Sequence, residues 1–201
     1  PVNDAPVLSQ INDQVIDEDT SLPLALSATD IDEDDLTYSA GVTGNATVDV
    51  VDNQLTVDPY DNFNGIIEVT VVVSDGELSD SQTFTLTVTP VNDAPTIDSV
   101  SDQEMDEDTT IEVALFGDDI DEEDVLLFSV DSVDPAEYAS VSVVGNILTI
   151  APVENYNGLL SITVSVSDIS LESASTSFEV TVNPVNDAPV LSQINDQVID
   201  E

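Results

Sequence analysis

The sequence has no lysine, no arginine and no histidine, set against 43 aspartates and glutamates, for a formal charge of −43. The missing cations exclude more than the surplus anions do. Carboxylates drawn together by folding are ordinarily neutralised by a nearby cation or driven toward their protonated form. Here no side chain can supply the cation, so compensation must come from solution. Such a charge repels nucleic acid and anionic membrane surfaces, and no nucleic-acid partner is expected. Cysteine is absent too, so there is no disulfide framework. No apolar run approaches the ~18 residues of a spanning helix, so no membrane insertion is expected. Without His, Cys, Lys or Arg the usual nucleophile and base arrangements cannot be built. Only carboxylate-pair chemistry would remain. Tryptophan is absent, and the aromatics are 4 Tyr and 5 Phe. A sugar platform could use only Tyr60, Tyr138 or Tyr156, and packing is the favoured role for these. Phe84, Phe128 and Phe178 fall on apparent core faces.

What is present points to folded repeats. Hydrophobic residues make up 41% of the chain, too many for a disordered acidic tail. Pro-Val-Asn-Asp-Ala-Pro occurs at 1–6, 90–95 and 184–189, at offsets of 89 and 94 residues. Other landmarks return in order. Asp17-Glu18-Asp19-Thr20 recurs as Asp106-Glu107-Asp108-Thr109, and Asp30-Ile31-Asp32 as Asp119-Ile120-Asp121. Asn62-Phe63-Asn64-Gly65 recurs as Asn155-Tyr156-Asn157-Gly158, and Val73-Ser74-Asp75 as Val166-Ser167-Asp168. Residues 184–201 repeat 1–18 without a difference. We therefore expect a repeat at 1–89, a second at 90–183, and the linker and start of a third at 184–201, the whole an excerpt of a longer array. Carboxylates that recur in every repeat suit a structural role better than one active site, so no enzyme is expected.

The periodicity is that of strands. Ile67, Val69, Val71 and Val73 alternate with Glu68, Thr70 and Val72. Phe84, Leu86 and Val88 alternate with threonines, and Ile162, Val164, Val166, Phe178, Val180 and Val182 follow the same rule. Period two with β-branched residues predicts strands. Shorter strands are predicted near 7–11, 22–28, 36–40, 46–51 and 54–58. About seven short strands per ~90 residues predict an all-β chain of β-sandwich repeats. The two prolines in each six-residue linker make it short and stiff.

Ca²⁺ prefers six to eight oxygens from carboxylates, amides and backbone carbonyls. At the central junction the linker offers Asn92 and Asp93. The downstream repeat offers Asp119, Asp121 and Asp168. The upstream repeat offers Glu18 and Asp61. Ca²⁺ is too scarce in cytosol to fill weak sites, so the composition leans toward an extracellular setting. Plainer readings exist for several of these residues. Asn-Asp-Ala-Pro could be only a turn, and Asp-Glu-Asp-Thr only a solvated loop. Within that loop Glu18 and Glu107 are better ligands than the flanking aspartates. An EF-hand reading of the segment from Asp30 fails, because its sixth position is Asp35 and its twelfth is Gly41. Asn64-Gly65 and Asn157-Gly158 read as turns before a strand. Asp49, Asp52, Glu68 and Glu179 read as lying on solvated strand faces, where they keep the chain soluble and discourage edge pairing.

These motifs resemble those of cadherin repeats. The Asp-x-Asn-Asp-Asn-Ala-Pro linker is matched by Val91-Asn92-Asp93-Ala94-Pro95. Ala-x-Asp-x-Asp is matched by Ala28-Thr29-Asp30-Ile31-Asp32, the early Glu by Glu18 and Glu107, and the Asp after a Val-rich strand by Asp75 and Asp168. Pro-Val-Asn-Asp-Ala-Pro and Asp-Glu-Asp-Thr together are most similar to the cadherin-like repeats of large bacterial surface adhesins of the RTX, type I-secreted kind. The resemblance implies tandem Greek-key β-sandwiches, cadherin/Ig-like, joined end to end as a monomeric rod. It further implies Ca²⁺ bound at the junctions. The implied ligands include Asn3 and Asp4, with Asp30, Asp32 and Asp75, in the first repeat, and Asn186 and Asp187 in the last linker. The Asp-Arg-Glu motif of cadherins is missing, and Asp61 and Glu154 stand in the comparable loop. The implied function is a calcium-rigidified extender at the cell surface, serving adhesion and biofilm. The implied partners are Ca²⁺ and neighbouring repeats of the same chain. Alternatives are a module that binds polysaccharide and a homophilic Ca²⁺-dependent adhesion module.

Overall fold

The computed structural model describes residues 2–121 and 125–193. The last part of the expected third repeat, 194–201, lies outside the described residues. The chain divides into two compact units, Pro1–Asn92 and Asp93–Glu201. Both are built of strands, as the alternation predicts. Among the described residues the single helical element is one 3₁₀ turn, Ala136–Tyr138.

The first unit contains β1 (Val7–Leu8), β2 (Gln14–Asp17), β3 (Leu22–Ala25), β4 (Ala28–Thr29), β5 (Thr37–Thr43), β6 (Ala46–Val51), β7 (Gln54–Pro59), β8 (Gly65–Ser74) and β9 (Ser79–Thr89). One sheet runs β2-β9-β8-β5, another runs β3-β7-β6, and β1 pairs with β4. β2 lies parallel to β9; the other pairings are antiparallel. The second unit repeats this order with β10 (Thr96–Ile97), β11 (Gln103–Asp106), β12 (Ile111–Ala114), β13 (Gly117–Asp118), β14 (Leu127–Asp134), β15 (Ala139–Val144), β16 (Ile147–Pro152), β17 (Gly158–Ser167) and β18 (Ser173–Asn183). Its sheets run β11-β18-β17-β14 and β12-β16-β15, with β10 against β13.

The inward faces carry the residues that the alternation selects. Ile67, Val69, Val71 and Val73 of β8 are fully buried, as are Leu55 and Val57 of β7 from the other sheet. Leu160, Ile162 and Val164 of β17 share one core with Leu148 and Ile150 of β16 in the same way, and Val166 is fully buried too. Burying one such side chain contributes about 1.5–3 kcal/mol, so the two sheets of each unit hold each other face to face.

Two features depart from the predicted strands. The segment 22–28 is two strands, because β3 pairs with β7 while β4 turns to pair with β1. Leu26 at the break is buried, and its N–H reaches the Asn53 carbonyl. β2 and β11 escape prediction altogether. Four residues are too few to show an alternation, and their place is set by the long strands beside them. Their parallel pairing decides the site, because it leaves the Asp-Glu-Asp-Thr loop at the same pole as the end of the last strand.

Candidate metal centre

At the amino pole of the first unit, β4 ends on a loop that folds around Asp30. One Asp30 oxygen accepts the N–H of Asp32 at 2.9 Å and that of Asp34 at 3.5 Å. Its Oδ2 is buried and has no hydrogen-bond partner. Glu33, between those two donors, takes φ 61°, a left-handed conformation that closes the loop. Asp30, Asp32 and Asp34 each bring one carboxylate oxygen within 4.8 Å of the others. The incoming linker is tied to this loop by the Asp4 N–H, which donates to Asp32 Oδ2 at 2.8 Å. Asp75, where β8 ends, takes the N–H groups of Glu77 and Leu78 on one oxygen, both at 2.7 Å. Asn3 donates its side-chain amide to the other oxygen at 2.9 Å.

Charge and hydrogen bonding act in opposite directions on two of these acids. The Leu78 N–H, followed by that of Glu77, holds the Asp75 carboxyl below its ordinary range. Desolvation, and then the charges of Asp30, Asp32, Asp75 and Glu77, push Asp34 up. Asp32, Asp34, Asp75 and Glu77 line one cavity of about 390 Å³ with Val2 and Asn3. A polar hollow walled by four carboxylates, in a chain without a cationic side chain, relieves its charge by protonation or with a cation from solution. The oxygen-only donor set suits a hard one.

The second unit repeats the start of this aspartate loop. Asp119 accepts the Asp121 N–H at 3.0 Å, and its Oδ2 is again buried without a partner. Asp121 Oδ2 accepts the Asp93 N–H at 2.9 Å. Asp168, where β17 ends, is fully buried and accepts the Glu172 N–H at 2.9 Å.

The carboxy poles are different. Glu18 follows β2, is 3% exposed, and accepts the Val91 N–H at 2.6 Å. Its other oxygen accepts the Asn64 side-chain amide at 3.4 Å. In the second unit Glu107, 5% exposed, accepts the Val185 N–H at 2.7 Å and the Asn157 amide at 3.2 Å. Each Glu therefore clamps the linker that leaves its own unit. The next acid in each motif is spent locally. Asp19 accepts the Asn62 N–H at 2.9 Å, and Asp108 that of Asn155 at 2.8 Å.

Of the residues expected as ligands, Asn3, Asp4, Asp30, Asp32 and Asp75 come together at one amino pole. Asp93, Asp119 and Asp121 join one another at the other, and Asp168 ends the strand there. Asn92 is the last residue of the first unit. Asn186 and Asp187 are exposed; the Asn186 amide donates to the Asp187 carbonyl at 3.1 Å. Asp61 and Glu154 are also exposed and join no carboxylate group among the described residues. Four residues lay outside the expectation. Asp34 and Glu77 complete the wall of the first amino pole, and Asn64 and Asn157 hold the glutamates. The run Asp30 to Asp35 held the signal for Asp34. Nothing local marked Asn64, whose partner is 46 residues away. Of the tyrosines, Tyr138 and Tyr156 stack on each other at 4.7 Å, and Tyr60 and Tyr138 are exposed.

No curated protein matches the chain. EC1-2 of human Protocadherin-24 is 17% identical, with 89% of this chain and 98% of that chain covered at a TM-score of 0.59. Drosophila N-cadherin EC1-4 is 16% identical, with 90% of this chain and 50% of that chain covered at a TM-score of 0.58. At such identity the likeness is one of fold. An endo-fucoidan hydrolase from glycoside hydrolase family 107 is 18% identical; this chain spans 29% of its length, and the TM-score of 0.38 carries no argument. The family described as Bacterial Ig domain matches residues 3–89 and again 92–183. Two matches, one per unit, cover nearly all of the sequence, and the chain belongs to the bacterial Ig domain family.

Proposed function

We propose that this chain is a calcium-rigidified spacer from a large bacterial surface adhesin of the RTX, type I-secreted kind. The observation that carries this reading is the repeated orphan oxygen. Asp30 Oδ2 and Asp119 Oδ2 occupy the same place in the two units, are buried, and lack a hydrogen-bond partner. A buried carboxylate oxygen without a donor is costly, and no side chain of this sequence can compensate it with positive charge. Ca²⁺, which takes six to eight oxygens in flexible geometry, suits the aspartates gathered at each amino pole, joined in the first by Asn3.

The mechanism is electrostatic and mechanical. Val91 is fastened to its own unit by Glu18, and Asp93 to its own unit by Asp121. One residue separates them in the chain. In the absence of divalent ion, like charges around the linker repel. With Ca²⁺, the acids of each amino pole, Asp30 and Asp32 in the first unit and Asp93, Asp119, Asp121 and Asp168 in the second, hold the ion beside the incoming linker, and successive domains stiffen into a rod that carries a distant binding region away from the cell. Ig- and cadherin-like domains are typically extracellular, where millimolar Ca²⁺ fills sites with dissociation constants on the order of 10⁻⁴ to 10⁻³ M. The role is structural, in adhesion and biofilm, with the chain monomeric and without enzymatic activity.

Small-angle X-ray scattering in EDTA, then in millimolar Ca²⁺, with Mg²⁺ as control, tests the reading. The expected outcome is a Ca²⁺-specific change from a flexible particle to a rigid rod, reduced in Asp119→Ala and Asp121→Ala while each unit stays folded. Identical scattering with and without the ion would remove the junction sites and turn attention to polysaccharide binding.

A further inference from the structure

We infer that Asn64 and Asn157 are sites of spontaneous deamidation, and that conversion at either one releases the clamp on the outgoing linker. They are the only two asparagines in the sequence followed by glycine. Both are exposed, so water reaches them. The fold requires those glycines: Gly65 has φ 140° and Gly158 φ 150°, conformations that favour glycine. A Cβ at Gly65 would lie 3.1 Å from the Phe63 ring, and one at Gly158 would lie 3.0 Å from the Tyr156 hydroxyl. The chain therefore cannot exchange the glycine for a residue that would shield the peptide nitrogen.

The chemistry balances without an enzyme. The Gly65 peptide nitrogen loses its proton to solvent base and attacks the Asn64 Cγ. A C–N bond forms, the side-chain amide departs as ammonia, and a five-membered succinimide remains. Water then opens either carbonyl, giving aspartate or isoaspartate. The same steps apply at Asn157 and Gly158.

The consequence follows from the hydrogen bonds already described. Each asparagine donates its amide to the buried glutamate, Asn64 to Glu18 and Asn157 to Glu107. Deamidation replaces that donor with an anion facing an anion. The Glu oxygens that accept Val91 and Val185 are then attached to a carboxylate that is both repelled and missing one partner.

The full chain, folded, is aged at mildly alkaline pH and cut with pepsin, and its peptides are weighed. Expected is the mass gain of an amide-to-acid conversion, several-fold faster at Asn64 and Asn157 than at the chain's other asparagines. Equal rates at all asparagines would overturn the assignment. N64Q disfavours ring closure and must stop the gain at its site; a gain that persists there also overturns it. Hydrogen exchange of the Val91 amide is then followed in aged wild type and in N64D. Exchange about tenfold faster, the size of a lost hydrogen bond to a charged group, is expected in both, and unchanged exchange would refute the clamp release.

Discussion

The two poles of each unit handle buried carboxylate in opposite ways. At the carboxy pole, Glu18 and Glu107 have a donor on each oxygen, one from the linker backbone and one from an asparagine amide. At the amino pole, Asp30 and Asp119 have one oxygen bound by their own loop and the other buried with no donor. A satisfied carboxylate is part of the fold, whereas an unsatisfied one is a demand placed on the solvent. The contrast separates acids that hold the protein together from acids that would hold an ion.

The largest effect is expected where a satisfied glutamate is removed. Glu18→Ala should destabilise the first unit by about 2 kcal/mol, because the Val91 and Asn64 donors lose an ionised partner. Urea unfolding in EDTA reads this directly. The loss should be as large without Ca²⁺ as with it, and a loss confined to Ca²⁺ would erase the difference between the poles.

Asp30→Asn and Asp119→Asn should show the reverse pattern. Removing an orphan charge from a crowded pole leaves ion-free stability unchanged or raised. Ca²⁺ affinity, followed by titration calorimetry, should fall about tenfold or more, as ligand charge count sets the strength of such sites. A variant that binds Ca²⁺ as wild type does would take its residue out of the site.

Acid titration sharpens the comparison within one pole. Asp75 has its carboxyl lowered in the folded state. Its stabilising contribution is therefore present above the ordinary value of 3.8 and lost as pH falls through the lower folded value. Asp34 is raised, so its ionised form opposes folding, and that opposition is relieved as pH falls through the raised value. Carboxyl NMR should find Asp34 titrating above Asp75. Asp75→Asn should remove part of the stability lost in acid, and Asp34→Asn should raise ion-free stability at neutral pH. The smallest effects belong to Asp61→Ala and Glu154→Ala, exposed and outside the carboxylate groups. Their stability should stay within about 0.5 kcal/mol, with Ca²⁺ affinity unchanged.

Much of this was legible before any coordinates. The repeated Pro-Val-Asn-Asp-Ala-Pro, the alternation of Ile67 to Val73 and the recurrence of Asp30-Ile31-Asp32 as Asp119-Ile120-Asp121 are all local patterns. Side-chain period and spacing survive in a linear string. That made the strands, the two-unit division and most of the amino-pole acids visible. Glu18 was also visible as distinct from Asp17 and Asp19, through its recurrence as Glu107.

The sequence by itself determined an all-β chain with inward faces defined by β-branched alternation. It also determined that any cation must come from outside, because composition admits no other source. Only the tertiary structure decided which carboxylates are satisfied. That choice depends on donors distant in the chain: Val91 reaching back 73 residues to Glu18, Asn64 reaching it across 46, and Asp93 reaching 28 to Asp121. Such pairings follow from β2 lying parallel to β9 and from the turn before β8, and a hydrogen bond leaves no trace in sequence spacing until the strands between its partners have been laid side by side.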